Sequence, residues 1–258
     1  LALDPAAAAA LPPRLLDDPF TLSAPPQEGG GSAPAPQTPP AEGQPAPTPT
    51  PVPVAVRPAS TGAFSYGGHI QNFGEGTFNA MRVARMTWIK KQIRWQPGAD
   101  PSGLAGMIET AHANGFRLLL GIVGEAHRVN EGGYFDAYAA YVGGVAALGV
   151  DAIEVWNEPN IDREWAYGSI DPGAYTALLR TAYNAIKAAN PSVMVISGAP
   201  APTGFFGGCS GAGCDDDKFL AGMAAAGAAN YMDCVGVHYN EGIVPPTWTS
   251  GDPRGNSS

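Results

Sequence analysis

An α/β fold built on a parallel sheet is the fold class that this sequence predicts, and two features of the chain predict it. From about residue 63 onward, strand-like and helix-like segments alternate, which is the pattern of βαβ units. Residues 116–123 are almost wholly apolar, as expected of a strand that is covered on both faces. The folded domain is therefore expected to cover residues 61–258.

The first 60 residues have a different composition from the rest of the chain. They hold 16 of the 26 prolines, together with an alanine run at residues 6–10. Such a segment offers too little apolar area to offset the entropy lost on ordering, and its prolines favour an extended chain. Residues 1–60 are therefore predicted to form a disordered tether rich in Pro, Ala and Thr.

The elements of the folded domain follow one another in a regular order. The predicted strands cover residues 63–71, 86–94, 116–123, 153–158, 193–197 and 233–238. The predicted helices cover residues 101–114, 134–148, 171–189 and 217–228. Gly115 and Gly149 end the first two helices, and Asp171 and Pro172 begin the third as its N-cap and first helical residue.

The fourth strand carries the most informative motif, because it runs directly into Asn157-Glu158-Pro159. Strand alternation places Trp156 and Glu158 on the same face, and Pro159 ends the strand because it cannot donate to a sheet ladder. A carboxyl group at the rim of a parallel strand, beside an aromatic ring, is well placed to donate a proton. The alternative is a strand that merely ends in polar residues, and the full motif makes it the weaker interpretation.

The segment Trp156-Asn157-Glu158-Pro159-Asn160 resembles the acid/base motif of glycoside hydrolase clan A, the retaining (β/α)8-barrel glycosidases, and its context is most similar to families 39 and 5. The resemblance implies that Glu158 is the general acid/base and that Asn157 binds the sugar 2-hydroxyl. His238 and Tyr239, after the sixth strand, resemble residues that line the clan's sugar site. The clan's usual spacing is His-x-Tyr, whereas here the two residues are adjacent, which puts Tyr239 in doubt.

Three further residues are candidates for sugar binding. Trp95 and Trp165 follow the second and fourth strands, where their rings could stack on a sugar or could equally be loop packing. Arg94 ends the second strand on a polar face that is expected to form part of the site.

The resemblance implies a TIM (β/α)8 barrel, but six strands in about 195 residues are fewer than the eight strands and roughly 250 residues of such a barrel. The chain is therefore expected to be a barrel truncated after about six strands. It would then lack the nucleophilic glutamate that the clan carries on strand seven. Glu241 lies on the wrong strand for that role. The alternative is an unusual complete α/β domain.

Charge and composition exclude several functions. The net charge is −9, only 14% of residues are charged, and no cluster of Lys or Arg is present, so nucleic acid is a poor partner. No run of 18 apolar residues predicts a transmembrane helix, and no motif predicts a cofactor or a metal. The expected partner is a carbohydrate, and the protein is expected outside the cell or on its surface.

The three cysteines are expected to differ in state. Cys209 and Cys214 bracket a small glycine-rich loop and are predicted to form a local disulfide, the alternative being three unrelated small apolar residues. Cys234 lies in an apolar strand pattern and is predicted to be a buried free thiol.

Two functional hypotheses follow from the sequence. The first is an O-glycoside hydrolase, a retaining β-glycosidase or an endoglycanase, of which this chain holds an incomplete barrel. The second is a catalytically silent barrel that binds carbohydrate. A seventh strand that ends in Glu would distinguish the first from the second.

Overall fold

The computed structural model describes residues 64–239. The predicted tether, Glu241 and the C-terminal residues lie outside this range. In chain order the elements are β1 (Gly67–His69), α1 (Glu75–Val83), β2 (Trp88–Arg94), α2 (Ala105–Ala113), β3 (Arg117–Val123), α3 (Tyr134–Ala147), β4 (Ala152–Val155), α4 (Pro172–Ala189), β5 (Met194–Ser197) and α5 (Asp216–Ala225). Short 3-10 helices cover Pro101–Leu104, Ala126–Arg128 and Ala228–Tyr231.

The five strands form one parallel sheet in the order β1-β2-β3-β4-β5. Each strand therefore pairs with its predecessor in the chain, as in a (β/α) barrel, whereas a doubly wound sheet reverses its order at a switch point. The predicted α/β class is confirmed. Within residues 64–239 the sheet is open, and β1 and β5 are its two edges.

The core lies between the outer face of the sheet and the helices. Leu118, Leu120 and Ile122 of β3 are fully buried, as the apolar pattern of that strand predicts. Helices α3 and α4 cover β3 and β4, with Val142 and Leu178 among their fully buried residues.

The helix ends follow the chemistry that the sequence predicts. Asp171 Oδ1 accepts a hydrogen bond from Ala174 N at 2.6 Å, and Pro172 occupies the first helical position of α4. Gly115 and Gly149 follow α2 and α3 with φ of +80° and +85°, a backbone conformation that favours glycine.

The inner face of the sheet carries polar as well as apolar residues. Lys90 of β2 and Glu154 of β4 form an ion pair, and Glu154 is only 3% exposed. The pair bridges across Gly121 of β3, where an added Cβ would lie 3.0 Å from a Glu154 carboxylate oxygen. A glycine at this position therefore makes room for a charged pair inside the sheet.

Two predicted elements differ from the structure. The predicted sixth strand is reduced to one parallel bridge between Ile196 and Cys234. The Asp233 carboxylate replaces a backbone partner of β5, because it accepts a hydrogen bond from Val195 N at 2.9 Å. The same carboxylate also binds Lys187 Nζ at 2.6 Å. Cys234 is a free thiol as predicted but is exposed, because the segment around it lies on the open edge of the sheet.

Helix α1 (Glu75–Val83) was not predicted at all. It is short, its first turn reads Glu-Gly-Thr, no side chain caps its start at Gly74, and only Phe78 and Met81 of its residues are buried, so no start signal or long apolar run marks it. Across residues 64–239, no helix is both long and apolar enough to cross a membrane.

Candidate active site

The backbone at the end of β4 is held in an unusual conformation. Trp156 and Glu158 have φ of +76° and +44°, a left-handed region that costs non-glycine residues about 1–3 kcal/mol each. Hydrogen bonds from Trp156 N to Ile122 O at 3.0 Å and from Glu158 N to Ala199 O at 2.9 Å fix this turn between the flanking strands. Surrounding structure therefore determines where the Glu158 side chain points.

The buried ring of Trp156 packs beneath the turn, on the side away from solvent. It is fully buried, and its Nε1 donates to the backbone oxygen of Glu164 at 2.8 Å. The ring lies directly over Gly124, where an added Cβ would be 2.6 Å from it. Only a glycine after β3 therefore leaves room for this tryptophan.

The Glu158 carboxylate is buried and each of its oxygens has a partner. Oε1 lies 3.0 Å from His238 Nδ1, and Oε2 accepts a hydrogen bond from Arg163 Nη2 at 2.6 Å. Glu158 is 6% exposed, whereas the side chain of Arg163 is 53% exposed. The structure thus brings together Glu158 and His238, which are 80 residues apart, and adds Arg163, which was not among the predicted site residues.

Opposing effects act on the protonation of Glu158. Burial raises the pKa of its carboxyl group, but the hydrogen bonds from His238 and Arg163, with the charge of the guanidinium, together leave the pKa below its ordinary value. The group is therefore ionised at neutral pH in this arrangement. Proton donation by Glu158 requires that at least one of these contacts change.

Arg94 lies in a second ion pair of the same region. Its Nη1 and Nη2 donate to the two carboxylate oxygens of Glu164 at 2.8 and 3.0 Å. Glu164 is 5% exposed, and its Oε1 lies 3.9 Å from Arg163 Nε. The Arg163 guanidinium is therefore flanked by two buried carboxylates, Glu158 and Glu164.

Neither Arg163 nor Glu164 was predicted from the sequence. The loop that holds them is conspicuously charged, since it reads Asp162-Arg163-Glu164 directly after the motif. Charge density alone does not indicate which side chains turn toward the site.

The prediction that Trp95 and Trp165 stack on sugars is wrong, because both rings are buried, at 2% and 1% exposure. The Trp95 ring packs 5.3 Å from that of Tyr138 on α3, and the Trp165 ring 5.4 Å from that of Trp156. Both follow a strand but turn back into the layer between sheet and helices, so the alternative of loop packing holds. The exposed rings of the loops after β4 and β5 are Tyr167 and Phe205.

Asn157 and Tyr239 are the remaining predicted residues. Asn157 is half-buried, and its side chain has no hydrogen-bond partner within residues 64–239, so its amide is available to a ligand. Tyr239 is 60% exposed and is the last described residue.

Asn160, by contrast, has a structural role. It is fully buried, its Oδ1 accepts from Ala201 N at 2.7 Å, and its Nδ2 donates to the backbone oxygens of Ala201 and Cys214 at 2.9 and 3.0 Å. Asn160 therefore binds the loops after β4 and β5 to each other.

A disulfide joins Cys209 and Cys214 in the loop after β5. Asp215 Oδ1 and Oδ2 accept from Phe206 N and Gly208 N at 2.9 and 2.8 Å, which fixes the same loop from inside. The loop also pairs with the loop after β4 through an antiparallel bridge between Ile161 and Gly213. The loops after β4 and β5 are thus joined to each other beside the candidate site.

Comparison with known proteins gives only distant similarity. No family model matches the chain, and no curated protein matches it. Among solved structures, an endo-1,4-beta-mannanase from Rhizomucor miehei is 13% identical, with 63% of this chain and 65% of that chain covered and a TM-score of 0.47. An endoglucanase from Thermotoga maritima is 16% identical, with 68% and 59% covered and a TM-score of 0.43.

An archaeal fructose 1,6-bisphosphate aldolase is similar at the same level, with 15% identity, 62% and 52% coverage and a TM-score of 0.35. The chain thus spans between about half and two thirds of the length of these three structures. Two are glycoside hydrolases and one is an aldolase, so the chemistry has to be argued from the site itself.

Proposed function

We propose that this chain carries part of the catalytic barrel of a retaining β-glycosidase or endoglycanase of clan A, with Glu158 as the general acid/base. The observation that carries the proposal is the Glu158 carboxyl group itself. It is buried at the carboxyl end of β4, on a strained turn, and is contacted by a histidine and an arginine from other parts of the site.

In the proposed reaction Glu158 gives a proton to the glycosidic oxygen and later removes one from the attacking water. Asn157, adjacent in sequence and without a side-chain partner in the described region, is proposed to bind the sugar 2-hydroxyl. Retention also requires a nucleophilic carboxylate about 5–5.5 Å from the acid/base. By the resemblance to clan A, a seventh strand of the barrel would supply it.

The substrate is proposed to be an oligosaccharide or polysaccharide outside the cell or at its surface. A disulfide between Cys209 and Cys214 is in keeping with an oxidising compartment.

The test is Glu158→Gln in the protein encoded by the complete gene. Loss of the acid should reduce turnover of substrates with poor leaving groups by about 10²- to 10⁴-fold, and affect activated aryl glycosides far less. Glu131→Gln is the matched control, because Glu131 pairs with Arg128 on the surface. Equal losses on both substrate types would count against an acid role for Glu158.

The second candidate is a catalytically silent barrel that binds carbohydrate. The observation that favours it is that Glu158 is ion-paired and ionised, as it would be if no proton transfer were required. Binding of cello- or manno-oligosaccharides by the complete protein, without turnover of any of them, would establish this candidate.

A further inference from the structure

Both oxygens of the Glu158 carboxylate are occupied in the structure, one by His238 and one by Arg163. A general acid has to direct a protonated oxygen at the bond that it breaks, within about 2.6–3.2 Å of the leaving oxygen. One of the two contacts therefore has to open before Glu158 can act.

Exposure indicates which contact can open. The side chain of His238 is 24% exposed and that of Arg163 is 53% exposed. Arginine also has a long and flexible stem, and its charged head is easily rehydrated at a surface. Displacing Arg163 therefore costs less reorganisation than displacing His238.

A second carboxylate is in place to receive the displaced guanidinium. Glu164 Oε1 lies 3.9 Å from Arg163 Nε, and Glu164 is held in position by the two hydrogen bonds from Arg94. Arg163 can therefore lose its contact with Glu158 while remaining beside a negative charge.

We propose that Arg163 is a displaceable counter-ion of Glu158, which holds the carboxylate in the empty site and shifts toward Glu164 when a glycoside binds. Oε2 then takes up a proton from solvent, and its O–H donates to the glycosidic oxygen, which lies where the guanidinium was. Arg163 is then a positioning residue, since it acts through Glu158. This inference rests on the proposed function, because it assumes that the leaving oxygen of a glycoside binds where the Arg163 guanidinium lies in the empty site.

The charges around Glu158 determine what removal of Arg163 does. Arg163 faces it from the loop after β4 and His238 from the segment after β5. The neighbouring charged groups are already paired, Arg94 with Glu164 and Lys90 with Glu154 on the inner face of the sheet. Without Arg163, burial is opposed mainly by His238, so protonation of Glu158 becomes easier.

The first test measures the ion pair between Glu158 and Arg163 and does not require enzymatic activity. The side-chain carboxyl of Glu158 is titrated by ¹³C NMR in the chain itself, with its signal assigned by Glu158→Gln. Arg163→Gln should raise the titration midpoint by about one pH unit or more, the usual effect of losing an adjacent opposite charge. Arg163→Lys should return it toward the wild-type value. Arg128→Gln, which removes a surface arginine paired with Glu131 and Glu125, should leave it unchanged.

An unchanged midpoint in Arg163→Gln overturns the proposal, and a far-UV circular dichroism spectrum verifies that the variant is folded. If Arg163→Gln does not fold, the midpoint of Arg163→Lys at low and high salt decides instead. Salt screens the ion pair, so the titration midpoint of Glu158 should rise with salt concentration. A midpoint that stays the same overturns the proposal.

The second test measures displacement in the protein encoded by the complete gene, assayed on glycosides with poor leaving groups, whose hydrolysis depends on the acid. Arg163→Gln should shift the basic limb of the kcat/KM profile, which reports the free enzyme, upward by the same amount as the NMR midpoint. The basic limb of the kcat profile, which reports the complex, should move less, because Arg163 has already left Glu158 there. Equal shifts in the two profiles overturn the displacement. Absence of turnover in the wild-type protein overturns the proposed function and the positioning role of Arg163, while the NMR midpoint still decides the pairing.

Discussion

Backbone strain in the described chain lies at three residues other than glycine, namely Arg85, Trp156 and Glu158. Trp156 and Glu158 belong to the candidate site, where buried contacts hold them in place. Arg85 is exposed and follows helix α1, whose last turn it closes with a hydrogen bond from its N to Arg82 O at 3.0 Å. The same conformation thus occurs at two positions of the candidate site and ends a helix at the third.

Replacing Arg85 with glycine is expected to stabilise the protein by about 1 kcal/mol, because glycine adopts a φ of +56° without a steric penalty. The midpoint of thermal unfolding should rise by roughly 2–4 °C for a domain of this size. Arg85→Ala is the control, because it removes the same side chain but keeps the penalty. A gain of equal size in the alanine variant would contradict this explanation.

The Glu158 carboxylate is also expected to make stability depend on pH. Its pKa is lower in the folded chain than its unfolded value of about 4.3, so its contribution is fully present above that pH. The contribution is lost as the pH falls through the lower folded pKa. Urea unfolding between about pH 6 and pH 3 should therefore show a steeper loss of stability in the wild type than in Glu158→Gln. Parallel curves would show that Glu158 is not preferentially ionised in the folded state.

The loops and helices around the sheet use their aromatic residues in two distinct ways. Trp95, Trp156 and Trp165 are buried with tyrosines of α3 and α4, and they bind these helices to the sheet. Tyr167 and Phe205 lie on the loops after β4 and β5 and are 74% and 70% exposed. Buried rings therefore stabilise the layers, while exposed rings on braced loops are available to a ligand.

Truncation of these rings should separate the two groups. Trp95→Ala is expected to lower the free energy of unfolding by about 3–5 kcal/mol, since it leaves a cavity in the core. Tyr167→Ala is expected to change it by less than about 0.5 kcal/mol, as is usual for surface substitutions. Urea unfolding of both variants gives the comparison. A small effect at Trp95 would mean that its ring is not part of the core.

At the scale of the whole molecule, the described sheet has five strands and two open edges. Only these strands and their loops, within residues 64–239, can place a second carboxylate near Glu158. Glu164 is the neighbouring carboxylate, and Arg94 binds both of its oxygens. It is therefore poorly placed to attack a sugar carbon. Under the proposed function, the nucleophile would then have to come from outside residues 64–239.

We accordingly expect the purified 258-residue chain to have no appreciable glycosidase activity, because Arg94 holds both oxygens of Glu164 and acid assistance by Glu158 does not replace a nucleophile. A panel of aryl β-glycosides and polysaccharides is the assay. Robust turnover that Glu241→Gln abolishes would contradict this expectation and make Glu241, which lies outside the described residues, the nucleophile.

The sequence predicted those parts of the molecule that depend on local patterns. Strands β2 to β5 and helices α2 to α5 follow from apolar periodicity, from Asp171 and Pro172 at a helix start, and from glycines at helix ends. Helix α1 has only two buried residues and begins without a side-chain cap, so no local signal marks its start.

The details of the candidate site depend on contacts between distant residues, and local patterns do not encode them. Nothing in the sequence indicates that Trp156 and Glu158 have positive φ, and this turn decides which loop side chains reach the carboxylate. The partnership of Glu158 with Arg163 was missed for that reason. The position of the Trp95 ring depends equally on Tyr138, 43 residues away, which pattern analysis does not connect to it.

The sequential strand order also allows the sheet to form stepwise while the protein is being synthesised. Each strand pairs with the one that left the ribosome before it, so every new β/α unit finds its partner already in place. Contacts between consecutive units keep loop closure short, which favours stepwise growth of the sheet from the N-terminal side. The turn at Glu158 forms only when β5 arrives, because Ala199, which accepts the Glu158 N–H, follows that strand. The Glu158 carboxylate is therefore set in position late, after the layers beneath it have assembled.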